Sequence, residues 1–317
     1  MTLKGTCTMG QLETFAVAQM GPVHLNDSKK QTILRLMELL TEAKARRARW
    51  VTFPELALTT FFPRYIYDDP EEYDHFFEEG LPSPSMVPLF EHAKALEVGF
   101  YLGYAEKAIE NGQTNRYNTA VLVNPDGAII GKYRKIHLPG TVNPVGDVEF
   151  EHLEKRYFNV GNLGFPTFET QTGRIGMCIC NDRRWPETFR VMALRGAEIF
   201  MLGYNTPARN INHSEPVHLR EFHHRLSLES AAYQNAAWVM AAAKCGAEDG
   251  FSMIGGSAIV APTGETVVRA VSEEDEVITF KCDLDLGSYL RRTVFDFTRH
   301  RRPENYGPIV DQVGIEI

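Results

Sequence analysis

Twice along the chain an apolar stretch runs into a Pro-Xaa-Gly turn and returns as a second apolar stretch. Residues 120–124 lead through Pro125-Asp126-Gly127 into 128–133, and residues 257–261 lead through Pro262-Thr263-Gly264 into 266–270. Turn chemistry between strand-length runs predicts antiparallel hairpins. Elsewhere strands and helices alternate. Residues 15–20 and 50–53 read as strands around a helix whose apolar side is Ile33, Leu36, Met37 and Leu40. Asn26, Asp27 and Ser28 offer its N-cap, and Lys44, Arg46 and Arg47 suit its C-terminal end. A helix over 85–96 precedes a strand over 99–104; the strand 174–179, helix 188–194, strand 198–202, helix 216–234 and strands 237–243 and 277–282 continue the pattern. Alternation with added hairpins requires mixed sheets covered by helices.

At 317 residues the chain could hold two domains. No repeat, low-complexity run or Pro/Gly-rich linker marks a boundary, so one domain of stacked α and β layers is expected, residues 1–286, followed by an irregular Arg-rich extension over 287–317. Hydrophobic residues make up 44%, enough for a large core. Thirty-three Lys and Arg against 41 Asp and Glu give a net charge of −8, which argues against a general nucleic-acid binder. The Arg291, Arg292, Arg299, Arg301 and Arg302 run is interleaved with Tyr289, Phe295, Phe297 and Tyr306, which reads as a tail packed on a partner subunit. No apolar run approaches the roughly 18 residues that span a bilayer, so no membrane association is expected. Gln11 and Glu13 interrupt any signal-like segment, and five cysteines, an odd number, suit a reducing, cytoplasmic setting.

Three segments share a pattern in which an apolar strand stops abruptly in reactive residues, the place where open α/β sheets build sites. The first is Val51-Thr52-Phe53-Pro54-Glu55, with Glu55 a candidate general base. The second is Gly131-Lys132-Tyr133-Arg134-Lys135-Ile136-His137-Leu138-Pro139-Gly140. Strand alternation sends Lys132 and Arg134 to one face, Tyr133 and Lys135 to the other, and an inward lysine can stabilise an oxyanion. The third, Ile175 to Glu187, places Cys180 at a strand-to-helix elbow before Pro186. There a thiol near arginine and a helix N-terminus should ionise more easily than a buried one, while Cys178 lies deeper and packs. Metal ligation is not expected: Cys178-Ile179-Cys180 has one intervening residue, and His213, His218, His223 and His224 lack i,i+4 pairing. No glycine-rich nucleotide motif is present.

In this order the Glu, Lys and Cys segments resemble the Glu-Lys-Cys triad of the nitrilase superfamily of carbon-nitrogen hydrolases. Cys180-Asn181-Asp182-Arg183-Arg184-Trp185-Pro186-Glu187, His137-Leu138-Pro139-Gly140, His152-Leu153-Glu154-Lys155-Arg156-Tyr157-Phe158 and Gly203-Tyr204-Asn205-Thr206-Pro207 are similar to the N-carbamoyl-D-amino acid amidohydrolases (D-carbamoylases). The resemblance implies an α-β-β-α sandwich in homodimers or homotetramers, no metal or other cofactor, and hydrolysis of an N-carbamoyl-D-amino acid to the D-amino acid, CO2 and ammonia. By it, Cys180 is the nucleophile, Glu55 the proton carrier, and Lys135 with the Asn181 N–H the oxyanion site. Arg183, Arg184 and Thr206 hold the substrate carboxylate; Asn205, His137, His152 and Glu154 orient the triad and ureido group. Residues 141–150 match no family pattern and are candidates for the pocket entrance.

Overall fold

The computed structural model describes residues 11–145, 151–209 and 216–315. Along the first half run β1 (Leu12–Gln19), β2 (Trp50–Thr52), β3 (Phe77–Glu78), β4 (Gly99–Glu110), β5 (Gln113–Val123) and β6 (Ile129–Arg134). Then come β7 (Thr167–Thr170), β8 (Gly173–Ile179), β9 (Ile199–Tyr204) and β10 (Trp238–Ala243), and a ribbon of β11 (Cys245–Glu248) and β12 (Phe251–Ile254). β13 (Ala258–Val260), β14 (Thr266–Arg269) and β15 (Glu276–Asp283) complete the order. One sheet is ordered β15-β1-β2-β4-β5-β6 with β3 on β4, the other β14-β13-β10-β9-β8-β7. Each has a parallel centre, β1-β2-β4 and β8-β9-β10, with antiparallel flanks.

The period-2 alternation of strands divides the apolar residues into layers. Phe15, Val17, Trp50, Tyr101 and Leu122 of the first sheet meet Ile175, Met177, Ile199 and Met201 of the second in one core. Their neighbours Ala16, Ala18, Val51, Phe100 and Leu102 face the other way, onto Leu36, Leu40 and Ala43 of the helix Lys29–Ala45 and Leu89 and Ala93 of the helix Val87–Leu96. Ser28 caps the former helix in a reciprocal box with Gln31. On the second sheet Phe200 meets Phe189 of the helix Pro186–Leu194 edge-on at 5.1 Å, beside the helix Val217–Asn235. The architecture is an α-β-β-α sandwich, and each fully buried Leu, Ile or Phe in it contributes about 1.5–3 kcal/mol.

Some features depart from the expected pattern. β4 and β5 run well past the expected strand ends and turn at Asn111-Gly112, with φ of 54° and 76°; an Asn-Gly pair is itself a strong hairpin signal. The ribbon β11–β12 turns likewise at Asp249-Gly250. The C-terminal segment is less irregular than expected, with helices Leu286–Arg292, Phe297–His300 and Gly307–Asp311. It lies against its own chain: Phe295 packs edge-on to Tyr233 at 4.9 Å, and Arg190 sits 4.3 Å over Phe297. Among the described residues no helix is long and apolar enough to cross a membrane.

Candidate active site

Beyond β2, Pro54 and Glu55 pass between the two sheets. Gly103 of β4 and Gly203 of β9 meet them from opposite sides: a Cβ at Gly103 would stand 2.7 Å from Glu55 Cα, and one at Gly203 2.5 Å from Glu55 N. Side chains cannot approach so closely, so both glycines are needed to admit the segment. A buried ion network holds the loop that follows. Lys244 donates to Thr59 O at 2.6 Å and Glu248 at 2.9 Å; Glu248 also accepts from Phe61 N at 2.7 Å and Arg64 at 2.6 Å.

Lys135 follows β6. Alternation there is as the sequence predicts: Lys132 and Arg134 pair with Glu106 on one face, while Tyr133 and Lys135 turn into the sandwich. Lys135 Nζ donates to Glu55 Oε1 at 2.7 Å and to Glu154 Oε2 at 2.6 Å, and all three side chains are fully buried. Asn118 of β5 donates to the same Glu55 oxygen at 2.7 Å, and Asn205 N donates to Glu55 Oε2 at 2.9 Å. Three donors thus converge on one acceptor-only carboxylate. Burial acts to lower the Lys135 pKa, but Glu154 and Glu55 outweigh it and hold it above the ordinary value. Burial likewise acts to raise that of Glu154, yet Lys135 and His152, whose Nε2 lies 3.2 Å from Glu154 Oε1, hold it below the ordinary range.

Cys180 directly follows β8 and opens the 3-10 turn Cys180–Arg184. Its φ of 46° is left-handed, a strained conformation for a non-glycine residue that marks a sharp elbow. Asp182 fastens the elbow: it accepts from Ile179 N at 3.0 Å and Tyr133 OH at 2.8 Å, while His137 donates through N at 3.0 Å and Nδ1 at 2.8 Å. The Cys180 thiol donates to Asn205 O at 3.6 Å. Arg183 Nη1 donates to Cys180 O at 2.6 Å, and its Nη2 to Thr206 Oγ1 at 2.9 Å. Glu55 and Asn205 are further joined by Asn205 Nδ2 donating to Glu55 O at 2.7 Å.

As expected for the elbow beside Arg183, the Cys180 pKa is raised less than that of the core thiol of Cys178, which burial drives well above the ordinary value. The Cys180 thiol is still not poised as an easily ionised group: burial, and then Glu55, raise its pKa above 9.0, and Lys135 and Arg183 offset this only in part. The elbow lies deeper than a strand-end position suggests, with Cys180 only 5% exposed. Deprotonation therefore needs a base, and the buried Glu55 is the carboxylate that acts most strongly on the thiol.

A pocket of about 680 Å³ opens on Cys180, lined among others by Asn181, Arg183, Arg184, Asn205, Thr206 and Arg220. His152, Thr141 and Val145 also line it, while residues 146–150 of the expected entrance lie outside the described residues. Arg183 is buried and Arg184 exposed, so the paired arginines occupy different depths. His137 bonds to Asp182 and stacks on Trp185 at 5.0 Å, so it acts on the elbow after Cys180. Asn181 donates its side-chain amide to His137 O at 3.0 Å. Cys178 is fully buried in the core. Asn118, inside β5, and the Lys244–Glu248–Arg64 network carry no local sequence signal beyond being polar residues next to apolar runs. Among the described residues no three His, Cys, Asp or Glu side chains gather as a metal-binding set; His213 and Cys7 lie outside them.

The family profile described as carbon-nitrogen hydrolase matches residues 14–292. The chain belongs to the carbon-nitrogen hydrolase family. It is 30% identical over 300 residues to an N-carbamoylputrescine amidase of Arabidopsis thaliana, covering 91% of this chain and 93% of that protein. A citrullinase of Francisella tularensis is 28% identical, covering 90% and 94%. Among solved structures, a carbon-nitrogen hydrolase from Helicobacter pylori superposes with a TM-score of 0.81 at 26% identity, covering 96% of this chain and all of that one. The protein is thus an amidohydrolase of the nitrilase superfamily with that superfamily's sandwich fold.

Proposed function

We propose that this amidohydrolase cleaves N-carbamoyl-D-amino acids to the D-amino acid, CO2 and ammonia. The observation that carries the reading is the lining of the Cys180 pocket by Arg183, Arg184 and Arg220, which favours a substrate bearing a carboxylate. The Arg183 guanidinium, buried beside Cys180, disfavours a cationic substrate such as N-carbamoylputrescine. The D configuration is supported by the sequence resemblance.

Glu55 takes the Cys180 proton as sulfur attacks the ureido carbon, and the carbonyl electrons move onto oxygen. Lys135 and the Asn181 N–H stabilise that oxyanion. The oxyanion collapses and the bond to the terminal nitrogen breaks; Glu55 passes its proton to this nitrogen, which leaves as ammonia. Glu55 then removes a proton from water, which attacks the carbamoyl-enzyme. The C–S bond breaks, the thiol is reprotonated, and the released carbamate decomposes to CO2 and the amino acid.

Ammonia release should be measured in parallel with N-carbamoyl-D-phenylalanine, its L enantiomer, N-carbamoylputrescine and acetamide. The D-carbamoyl acid is expected to have the highest kcat/KM. Equal turnover of acetamide, or preference for N-carbamoylputrescine, refutes the assignment.

A further inference from the structure

Behind the pocket, Arg183 is held by a chain of hydrogen bonds whose direction is forced at every link. Arg183 Nε has only a proton to give, and it lies 3.1 Å from His224 Nδ1, which must accept. The neutral ring then carries its proton on Nε2, 2.9 Å from Tyr204 OH. The Tyr204 hydroxyl accepts there and donates onward to Gly255 O at 2.8 Å. The Tyr204 ring also lies 4.9 Å beneath the Arg183 guanidinium. His224 comes from the helix Val217–Asn235, Tyr204 from β9 and Arg183 from the turn after Cys180, so three elements meet at one cation.

We propose that His224, oriented by Tyr204, is a positioning residue that turns the Nη1/Nη2 edge of Arg183 into the pocket to receive the substrate carboxylate. This rests on the reading, given above, that Arg183 binds that carboxylate. The side of the guanidinium away from the pocket is consumed by His224, whereas Nη1 and Nη2 contact Cys180 O and Thr206 Oγ1, both on pocket-lining residues. A protonated His224 would lose its acceptor and face Arg183 as a like charge. Burial, and then Arg183, hold its pKa well below the ordinary 6.5, which keeps the chain intact through neutral pH. His224 touches neither substrate nor sulfur; its effect passes through Arg183.

The test compares N-carbamoyl-D-phenylalanine with its carboxamide in the wild type and in His224→Leu, His224→Asn and Tyr204→Phe. His224→Leu leaves a buried guanidinium N–H unpaired, so KM for the acid should rise about tenfold, with kcat within about twofold and the carboxamide KM unmoved. His224→Asn, whose amide oxygen replaces Nδ1, should bring KM back to within about threefold of wild type. Tyr204→Phe keeps the ring under Arg183 and frees the imidazole; a KM rise of about threefold is expected, and this variant carries the test if His224→Leu does not fold. Cys180 alkylation by iodoacetamide, which needs no carboxylate, should stay within about threefold of the wild-type rate throughout, since Arg183 offsets the rise in the thiol pKa only in part. The proposal is overturned if the loss falls on kcat and alkylation together, or if Leu and Asn behave alike. A wild type that prefers the acid over the carboxamide, with His224→Leu leaving that preference intact, refutes the role of His224 alone. A wild type indifferent to acid or carboxamide refutes the carboxylate reading itself, and the proposal with it.

Discussion

Replacing Gly203 by alanine tests how tightly the sandwich fixes its base. The new Cβ would stand 2.5 Å from Glu55 N, so the Pro54-Glu55 segment must retreat by about 1 Å to reach ordinary carbon contact near 3.5 Å. Gly103 on the opposite sheet resists that retreat through its backbone, donating to Pro54 O at 3.2 Å and accepting from Ala57 N at 2.9 Å. The contacts of Glu55 with Lys135 at 2.7 Å and Asn205 N at 2.9 Å cannot then both survive. A 1 Å misplacement of a reacting group costs about 100-fold, and overpacking a core costs about 1–3 kcal/mol of stability. Gly203→Ala is therefore expected to fold with a lowered melting temperature and to lose about 100-fold in kcat. Steady-state ammonia release and thermal melting read the two quantities separately, and intact-mass analysis of iodoacetamide-treated protein checks that Cys180 remains reachable. A variant with kcat within about threefold of wild type would refute the claim that the two glycines position Glu55.

Other outcomes follow from the same geometry. Cys180→Ala should abolish turnover and the iodoacetamide adduct in the pocket, while Cys178→Ala, in the core, should keep both; intact-mass analysis distinguishes them. Because burial and Glu55 raise the thiol pKa above 9.0, the alkylation rate of Cys180 in the free enzyme should still be climbing at pH 9, and a plateau at neutral pH refutes the assignment. Glu154 is held below its ordinary 4.5 by Lys135 and His152, against the effect of burial; its contribution to stability is present above that pH and lost as pH falls through the depressed folded value. Glu154→Gln should flatten the acid limb of a melting-temperature profile; an unchanged limb refutes this. Light scattering should give a dimer or larger assembly, and a monomer refutes the expectation that the C-terminal segment packs on a partner subunit.

Much of this was legible in the chain because it lies in local pattern. The alternation around Tyr133 and Lys135, the Ser28 cap and the paired hairpins depend on neighbours within a few residues, and strands ending at Glu55 and Cys180 announce a site at the sheet ends. Two positions show where that reading stops. Asn118 sits 63 residues from Glu55 yet donates to it, a contact created only when β5 and the Glu55 segment are brought together in the fold. The position of Cys180 beside arginine predicts a thiol that ionises more easily than a buried one; its own burial, which holds its pKa above the ordinary value, is a property of the assembled sandwich. Tertiary desolvation has no sequence period.

The protonated thiol has a consequence for how this protein endures between turnovers. Peroxide and most electrophiles react with thiolate, not thiol, so a nucleophile kept in its neutral form is chemically quiet until a substrate and its base act on it together. Cys180 should therefore outlast exposed low-pKa cysteines under peroxide, which intact-mass analysis would read. Covalent inhibitors would have to enlist Glu55 themselves: a warhead carrying a carboxylate for the arginine-lined pocket should outrun a simple alkylating agent of equal intrinsic reactivity.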